Sequence, residues 1–223
     1  MSSMPRLDPD EDGNHRLQEL VKKLDADDVQ VFVNKFTTQS LSSRFHTYRE
    51  LLIGAHLREH GFDVRYEHQI GGKTPDWSLL NTDGTPKEII DVFTLHQRHE
   101  KDMGISDALA RERCYAGWIT VPPDHIYRKL SDKAGQYSGL TKLYNIPFVL
   151  APFIEFNASI EQEELRLVLF DLHGGWFTMA PHVSGVIYAR MRNFQFELNV
   201  IPNPYAEHKS ALELTKFPPR SEA

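Results

Sequence analysis

Thr74-Pro75-Asp76-Trp77-Ser78-Leu79-Leu80 leads through Asn81-Thr82-Asp83-Gly84 into Lys87-Glu88-Ile89-Ile90-Asp91-Val92-Phe93-Thr94-Leu95. Asp-Gly tolerates the positive φ of a tight connection, so this is a hairpin of two antiparallel neighbours. The second strand is nearly continuous in Ile and Val, the pattern of a strand covered on both faces. An aspartate at its centre, Asp91, is therefore anomalous. A buried carboxylate without compensation costs several kcal/mol by rough count, so it calls for a metal ion or a cation. Asp76 begins the partner strand, and cross-strand partners bring their Cβ atoms to roughly 5 Å. Two carboxylates so placed can share one divalent cation, and Mg²⁺ suits them because it takes one or two carboxylates and keeps its other positions for water and phosphate.

Upstream, Ser42 to His60 has the pattern of a helix, with Ser42 or Ser43 as its cap and Gly61 as its stop. It carries Glu50, whose i+3, i+4 and i+7 neighbours are Ile53, Gly54 and Leu57; this stripe turns Glu50 toward the sheet. Phe62 to Ile70 is a third β-like run, closed by a Gly71-Gly72 turn. Downstream, Asp107 to Trp118 and Asp124 to Tyr144 have helical patterns, with Val121-Pro122-Pro123 between them, and Ile146 to Phe156 is an apolar strand. Further out, His15 to Leu24 is expected to be helical, and Val29 to Phe36 reads as a short strand from its alternating valines. Residues 165–172 and 194–201 read as two more strands, and a short helix is expected after Glu207.

The order helix with Glu50, Pro-Asp on a strand, acid on the next strand, helix, strand resembles the PD-(D/E)XK nucleases over residues 44–156. The resemblance implies an α/β fold with an α-β-β-β-α-β core, a mixed central sheet flanked by helices, and a C-terminal β extension over 157–223. It implies phosphodiester hydrolysis with Mg²⁺ or Mn²⁺ as cofactor and nucleic acid, DNA ahead of RNA, as partner. Glu50, Asp76 and Asp91 are then the metal ligands, with the main-chain carbonyl of Val92. One position departs from the motif: it asks for lysine two residues after the second acid, and here that residue is Phe93. Strand residues i and i+2 face the same side, so Phe93 points at the site, and a phenyl ring cannot stabilise developing negative charge. Lys133 is the replacement cation we expect, with Gln136 and Tyr137 on the same helical face as substrate contacts; Lys73 is the second choice.

Plainer readings stand beside these. Asp76 can be a turn residue, Asp91 the partner of Arg65 or Arg98, Glu50 a surface acid paired with Arg49 or His46, and Lys133 a solvated lysine. Loss of the motif lysine also allows a catalytically degenerate domain that binds nucleic acid or a protein. His56-Leu57-Arg58-Glu59-His60 matches H-x-x-E-H and admits a zinc hydrolase.

Composition constrains these choices. The net charge is −6, which weighs against a nucleic-acid-coated surface. Residues 1–28 carry −4 of that, however, so the remaining chain is close to neutral and can still present a basic groove. The single cysteine, Cys114, forms no internal disulfide and fits a cytoplasmic location. No run is long enough to span a bilayer. Residues 1–14 read as a disordered leader without a signal peptide, and 15–223 as one α/β domain, in which 157–223 supply specificity or a homodimer interface.

Overall fold

The computed structural model describes residues 11–95, 121–154, 162–192 and 195–214. Helices α1 (Glu11–Val21), α2 (Ala26–Thr38) and α3 (Leu41–Glu59) precede strands β1 (Val64–Tyr66), β2 (Trp77–Leu80) and β3 (Pro86–Leu95). Helix α4 (Pro123–Tyr144) and strand β4 (Phe148–Ile154) follow; then come α5 (Gln162–Arg166, continued by a π turn over Leu167–Asp171), α6 (Trp176–Met179), β5 (Gly185–Arg192) and β6 (Gln195–Pro202). The six strands form one sheet in sequence order. β1–β2–β3 are antiparallel, β3–β4–β5 parallel, and β5–β6 antiparallel. The expected mixed α/β architecture is thus present, and α3, β1, β2, β3, α4, β4 run in the expected order. Among the described residues no helix is long and apolar enough to cross a membrane.

The period of two along the strands divides the core. Trp77, Leu79, Ile90, Val92, Val149 and Ala151 face a layer built from α1, α2 and α3. Ile89, Phe93, Phe148 and Leu150 face the other layer with α4, α5 and α6. Asp91, between Ile89 and Phe93, therefore points to the α4 side.

Several local expectations are corrected. Helix α1 starts at Glu11, inside the stretch read as leader, and residues 1–10 lie outside the description. Val29 to Phe36 is helical: Asp28, Phe32 and Phe36 form the buried stripe of α2, with Asp27 and Asp28 in its acidic first turn. The valines alternate, but the larger aromatic side chains recur at i+4, and their burial decides the conformation. Residues 165–172 are helical too, with Leu165, Val168 and Leu169 buried at helical spacing. α3 is capped by Ser40, whose hydroxyl accepts from the Ser43 N–H, rather than by Ser42 or Ser43. The first strand shrinks to Val64–Tyr66. β5 was not anticipated at all, whereas the run at 194–201 is realised as β6. The helix expected over 107–118 lies outside the described residues. After β6, the short helix expected in the tail is a 3-10 turn, Ala211–Leu214.

Candidate acidic site and cleft

β2 and β3 pair with Trp77 opposite Ile90, so one step further along the register sets Asp76 opposite Asp91. The Val92 N–H donates to Asp76 Oδ2 at 2.6 Å, which fixes the Asp76 carboxylate against β3. Asp91 is 3% exposed. Its Oδ1 accepts from the Tyr137 hydroxyl at 3.1 Å, and its Oδ2 lies 2.9 Å from the Lys133 ammonium. Lys133 also sits 5.8 Å from the centroid of the Phe93 ring. Asp91, Lys133 and Tyr137 thus come together as expected, and the partner of Asp91 is this lysine. Arg65 is engaged with Asp25 at 3.1 Å; Arg98 lies outside the described residues.

Tyr137 is turned inward on α4. It is 7% exposed, and burial together with the Asp91 charge pushes its hydroxyl well above the usual phenol range. It stays protonated, donates to Asp91, and so orients that carboxylate. Lys73 is exposed in the Ile70–Lys73 turn, and among the described residues no ion pair links it to these acids. Gln136 is exposed and lines the cleft described below.

Glu50 approaches from the opposite layer. It is 3% exposed, its Oε1 lies 3.1 Å from His46 Nε2, and its Oε2 accepts the Tyr66 hydroxyl and lies 3.5 Å from Lys35 Nζ. Lys35 in turn donates to Tyr66 and pairs with Glu67 at 2.7 Å. Burial pushes the Glu50 carboxyl up, but His46, Lys35 and Tyr66 outweigh it and hold it below the usual carboxylate range. The His46 pairing weighed from sequence exists, yet it joins a buried carboxylate rather than a surface one. The sequence reading missed Lys35 and Tyr66. Lys35 was hidden because α2 was read as a strand; on a helix it lies one turn before Gln39, and both face the cleft.

Trp77 ties α3 to the sheet. Its Nε1–H donates to the Glu50 carbonyl at 2.7 Å. A Cβ on Gly54 would stand 1.9 Å from the indole, so α3 needs a glycine there for the ring to lie against it.

The electrostatics identify Asp76 as the strained member. Burial, then the charges of Asp91 and Glu50, push its carboxyl up to about 8. Facing carboxylates such as Asp76 and Asp91 are relieved by a cation, and an all-oxygen donor set suits Mg²⁺ or Mn²⁺. Among the described residues no three His, Cys, Asp or Glu side chains converge closely enough to hold a metal ion. Fitting a cation here therefore relies on the Asp76–Asp91 pair, with Glu50 at the margin. The H-x-x-E-H helix end looks different: Glu59 is taken by Lys23 at 2.8 Å and the His60 ring packs 4.3 Å from that of His56.

A cleft of about 640 Å³ opens between α3 and α4 over the C-terminal end of β3. Phe45, His46, Arg49 and Glu50 form one wall, Lys129, Lys133 and Gln136 the other, and Phe93 and Thr94 the floor. Arg49 is fixed in this wall by donating to Thr94 at 2.8 Å.

No family model, curated protein or solved structure matches the chain.

Proposed function

We propose that this chain is a Mg²⁺-dependent nuclease of the restriction-endonuclease-like kind, acting on phosphodiester bonds in nucleic acid, DNA ahead of RNA. The observation that carries the reading is the facing pair Asp76 and Asp91 with Lys133 Nζ 2.9 Å from Asp91. Asp76, Asp91 and the Val92 carbonyl would hold the cation, and Glu50 would complete the acidic set. When bound, Mg²⁺ supplies positive charge to the phosphoryl oxygens and acidifies an attacking water. Lys133, 5.8 Å from the ring at position 93, would supply the charge of the motif lysine, and its ammonium is suited to stabilise the negative charge that builds up on the phosphoryl group. Tyr137, by donating to Oδ1, would keep Asp91 oriented for the cation. Lys35, Tyr66 and His46 keep Glu50 ionised and fixed.

A degenerate, non-cleaving domain on the same fold is the second reading. It is favoured by the burial of Phe93, 4% exposed among core side chains.

Calorimetric titration of Mg²⁺ and Mn²⁺ into wild type and Asp76→Ala/Asp91→Ala, with cleavage of supercoiled plasmid and of labelled single-stranded DNA on the same samples, separates the two. Metal binding and cleavage that both vanish in the variant support the nuclease. Metal binding in the wild type without cleavage of either substrate favours the degenerate domain, and absence of metal binding rejects the nuclease.

A further inference from the structure

We infer that Thr94 is a positioning residue for the acidic site: its hydroxyl accepts from Arg49, donates to His46, and so holds His46 as the tautomer whose Nε2–H secures Glu50. Its effect on a reaction rests on the proposed nuclease function; the chain of hydrogen bonds does not.

The fold places the parts. Arg49 and Glu50 follow His46 on α3 by three and four residues, so each lies one turn from it. Thr94 comes from the sheet. It follows Ile90 and Val92 at the period of two, and those side chains pack in the layer that holds α3. Its Oγ1 meets Arg49 Nη1 at 2.8 Å and His46 Nδ1 at 3.2 Å. The other ring nitrogen of His46, Nε2, lies 3.1 Å from Glu50 Oε1. All four residues line the cleft.

Counting hydrogens gives the direction of each bond. A guanidinium has donors only, so Thr94 Oγ1 accepts from Arg49. Arg49 is itself fixed: it is 2% exposed, and its guanidinium lies 5.8 Å from the centroid of the Phe153 ring, the register partner of Thr94 on β4. A neutral imidazole has one donor nitrogen and one acceptor. Glu50 is buried and held below the usual carboxylate range, so it is ionised and accepts. Nε2 therefore carries the hydrogen, and Nδ1 accepts the hydroxyl hydrogen of Thr94. The opposite tautomer would set a bare lone pair against a buried carboxylate. Lys35 and Tyr66 already hold Oε2 of Glu50. The ring holds Oε1, and Thr94 acts on that oxygen through the ring.

The first measurement is on wild type. With isotope-labelled histidine at mildly alkaline pH, where imidazoles are ordinarily neutral, long-range nitrogen–proton correlation spectra report which ring nitrogen is protonated. His46→Ala identifies the signal by its loss. The Nε2–H tautomer is expected; Nδ1–H, or both nitrogens protonated, overturns the inference. Thr94→Val, which removes the hydroxyl and keeps the shape, should move the Nδ1 resonance, and Thr94→Ser should leave it near wild type. Initial rates on a labelled strand with Mg²⁺ follow. Thr94→Val should slow cleavage by about tenfold, the usual loss when a group that orients a ligand is removed, and Thr94→Ser should retain most of the rate. In a His46→Ala background Thr94→Val should cause no further loss, because the path runs through the ring. A residue that merely supports Arg49 would cause the same loss in both backgrounds, and that result overturns the inference. Circular dichroism melts check folding; if Thr94→Val does not fold, the wild-type tautomer decides. The two proposals fail separately. If the spectra are as expected but wild type shows no Mg²⁺-dependent cleavage, the nuclease reading falls and the chain from Thr94 to Glu50 stands. If cleavage requires Asp76 and Asp91 while Thr94→Val cleaves at the wild-type rate, the positioning role falls and the nuclease stands.

Discussion

Lys133 and Phe93 occupy one small volume, with the ammonium 5.8 Å from the ring centroid and 2.9 Å from Asp91. If the cation at this point matters more than the backbone position that delivers it, the two residues are interchangeable carriers of the charge. Lys133→Met should then lower the rate of cleavage by about a hundredfold, the range for removing one electrostatic stabiliser, while Mg²⁺ binding remains. Lys133→Met/Phe93→Lys should recover a measurable part of that loss, since residue 93 lies on the cleft floor. Initial rates on a labelled strand read both effects; a double variant no better than Lys133→Met would mean that Lys133 acts only by neutralising Asp91. Tyr137 tests the neighbouring contact. Its hydroxyl stays protonated because burial and Asp91 both oppose ionisation, so Tyr137→Phe removes a donor and leaves the ring. Mg²⁺ affinity should fall by about tenfold, the usual cost of losing the group that orients a ligand, and titration calorimetry would detect it. Unchanged affinity would show that Asp91 needs no such support.

At the level of elements, the site depends on how closely α3 approaches β2. Trp77 bonds to the Glu50 carbonyl and fills the space left by Gly54, so one indole sets the height of Glu50 above the sheet. Gly54→Ala should destabilise the fold by about 3 kcal/mol, at the upper end for overpacking because the clash is with a rigid ring. Urea unfolding measures this, and a loss below about 1 kcal/mol would mean that α3 shifts freely. The β2–β3 hairpin, α3, α4 and β4 were legible because each carries an undiluted period, a turn residue with a defined φ requirement, or both. Asp91 was legible for a related reason: a carboxylate inside an Ile/Val run conflicts with its surroundings, and the hairpin turn then sets Asp76 beside it. Lys35 was not, because α2 superimposes alternating valines on a helical stripe of Asp28, Phe32 and Phe36, and only the packing of Phe32 against Tyr66 and Trp77 chooses between the periods. β5 was illegible since its start, Gly185–Val186, is set by parallel pairing with β4, a long-range contact with no local marker. Asn203 shows the same limit. It reads as a plain turn residue, yet its buried amide donates to the carbonyls of Phe177, Ala180 and Val183 and its Oδ1 accepts from the Tyr205 N–H.

For the molecule as a whole, two apolar layers on one sheet leave the acids in the seam between them, and they leave α3 with a second ionisable group far from that seam. His56 is half-buried, and burial, then the nearby charge of His60, hold its imidazole down at about 4, against 6.5 in an open environment. Glu59 acts in the opposite direction and Lys23 in the same one. The folded chain therefore binds a proton at His56 less readily than the unfolded chain does. The sign follows from that difference. Above 6.5 the imidazole is neutral in both states and folding pays nothing for it; as pH falls from 6.5 toward 4 the unfolded chain is protonated first, and stability drops through that interval. His56→Gln cannot take up this proton. Carboxylates titrate in the same interval in both proteins, so the informative quantity is the gap between the wild-type and variant stability curves, obtained from urea unfolding at a series of pH values. The gap should change steadily between 6.5 and 4, with wild type losing more, and stay level above. Because His56 lies at the far end of α3 from the cleft, Mg²⁺-dependent cleavage should be the same for both proteins at neutral pH. Curves that run parallel through the whole interval would mean that the imidazole is as easily protonated in the folded chain as in water, and that the α1–α3 layer opens locally to admit the charge.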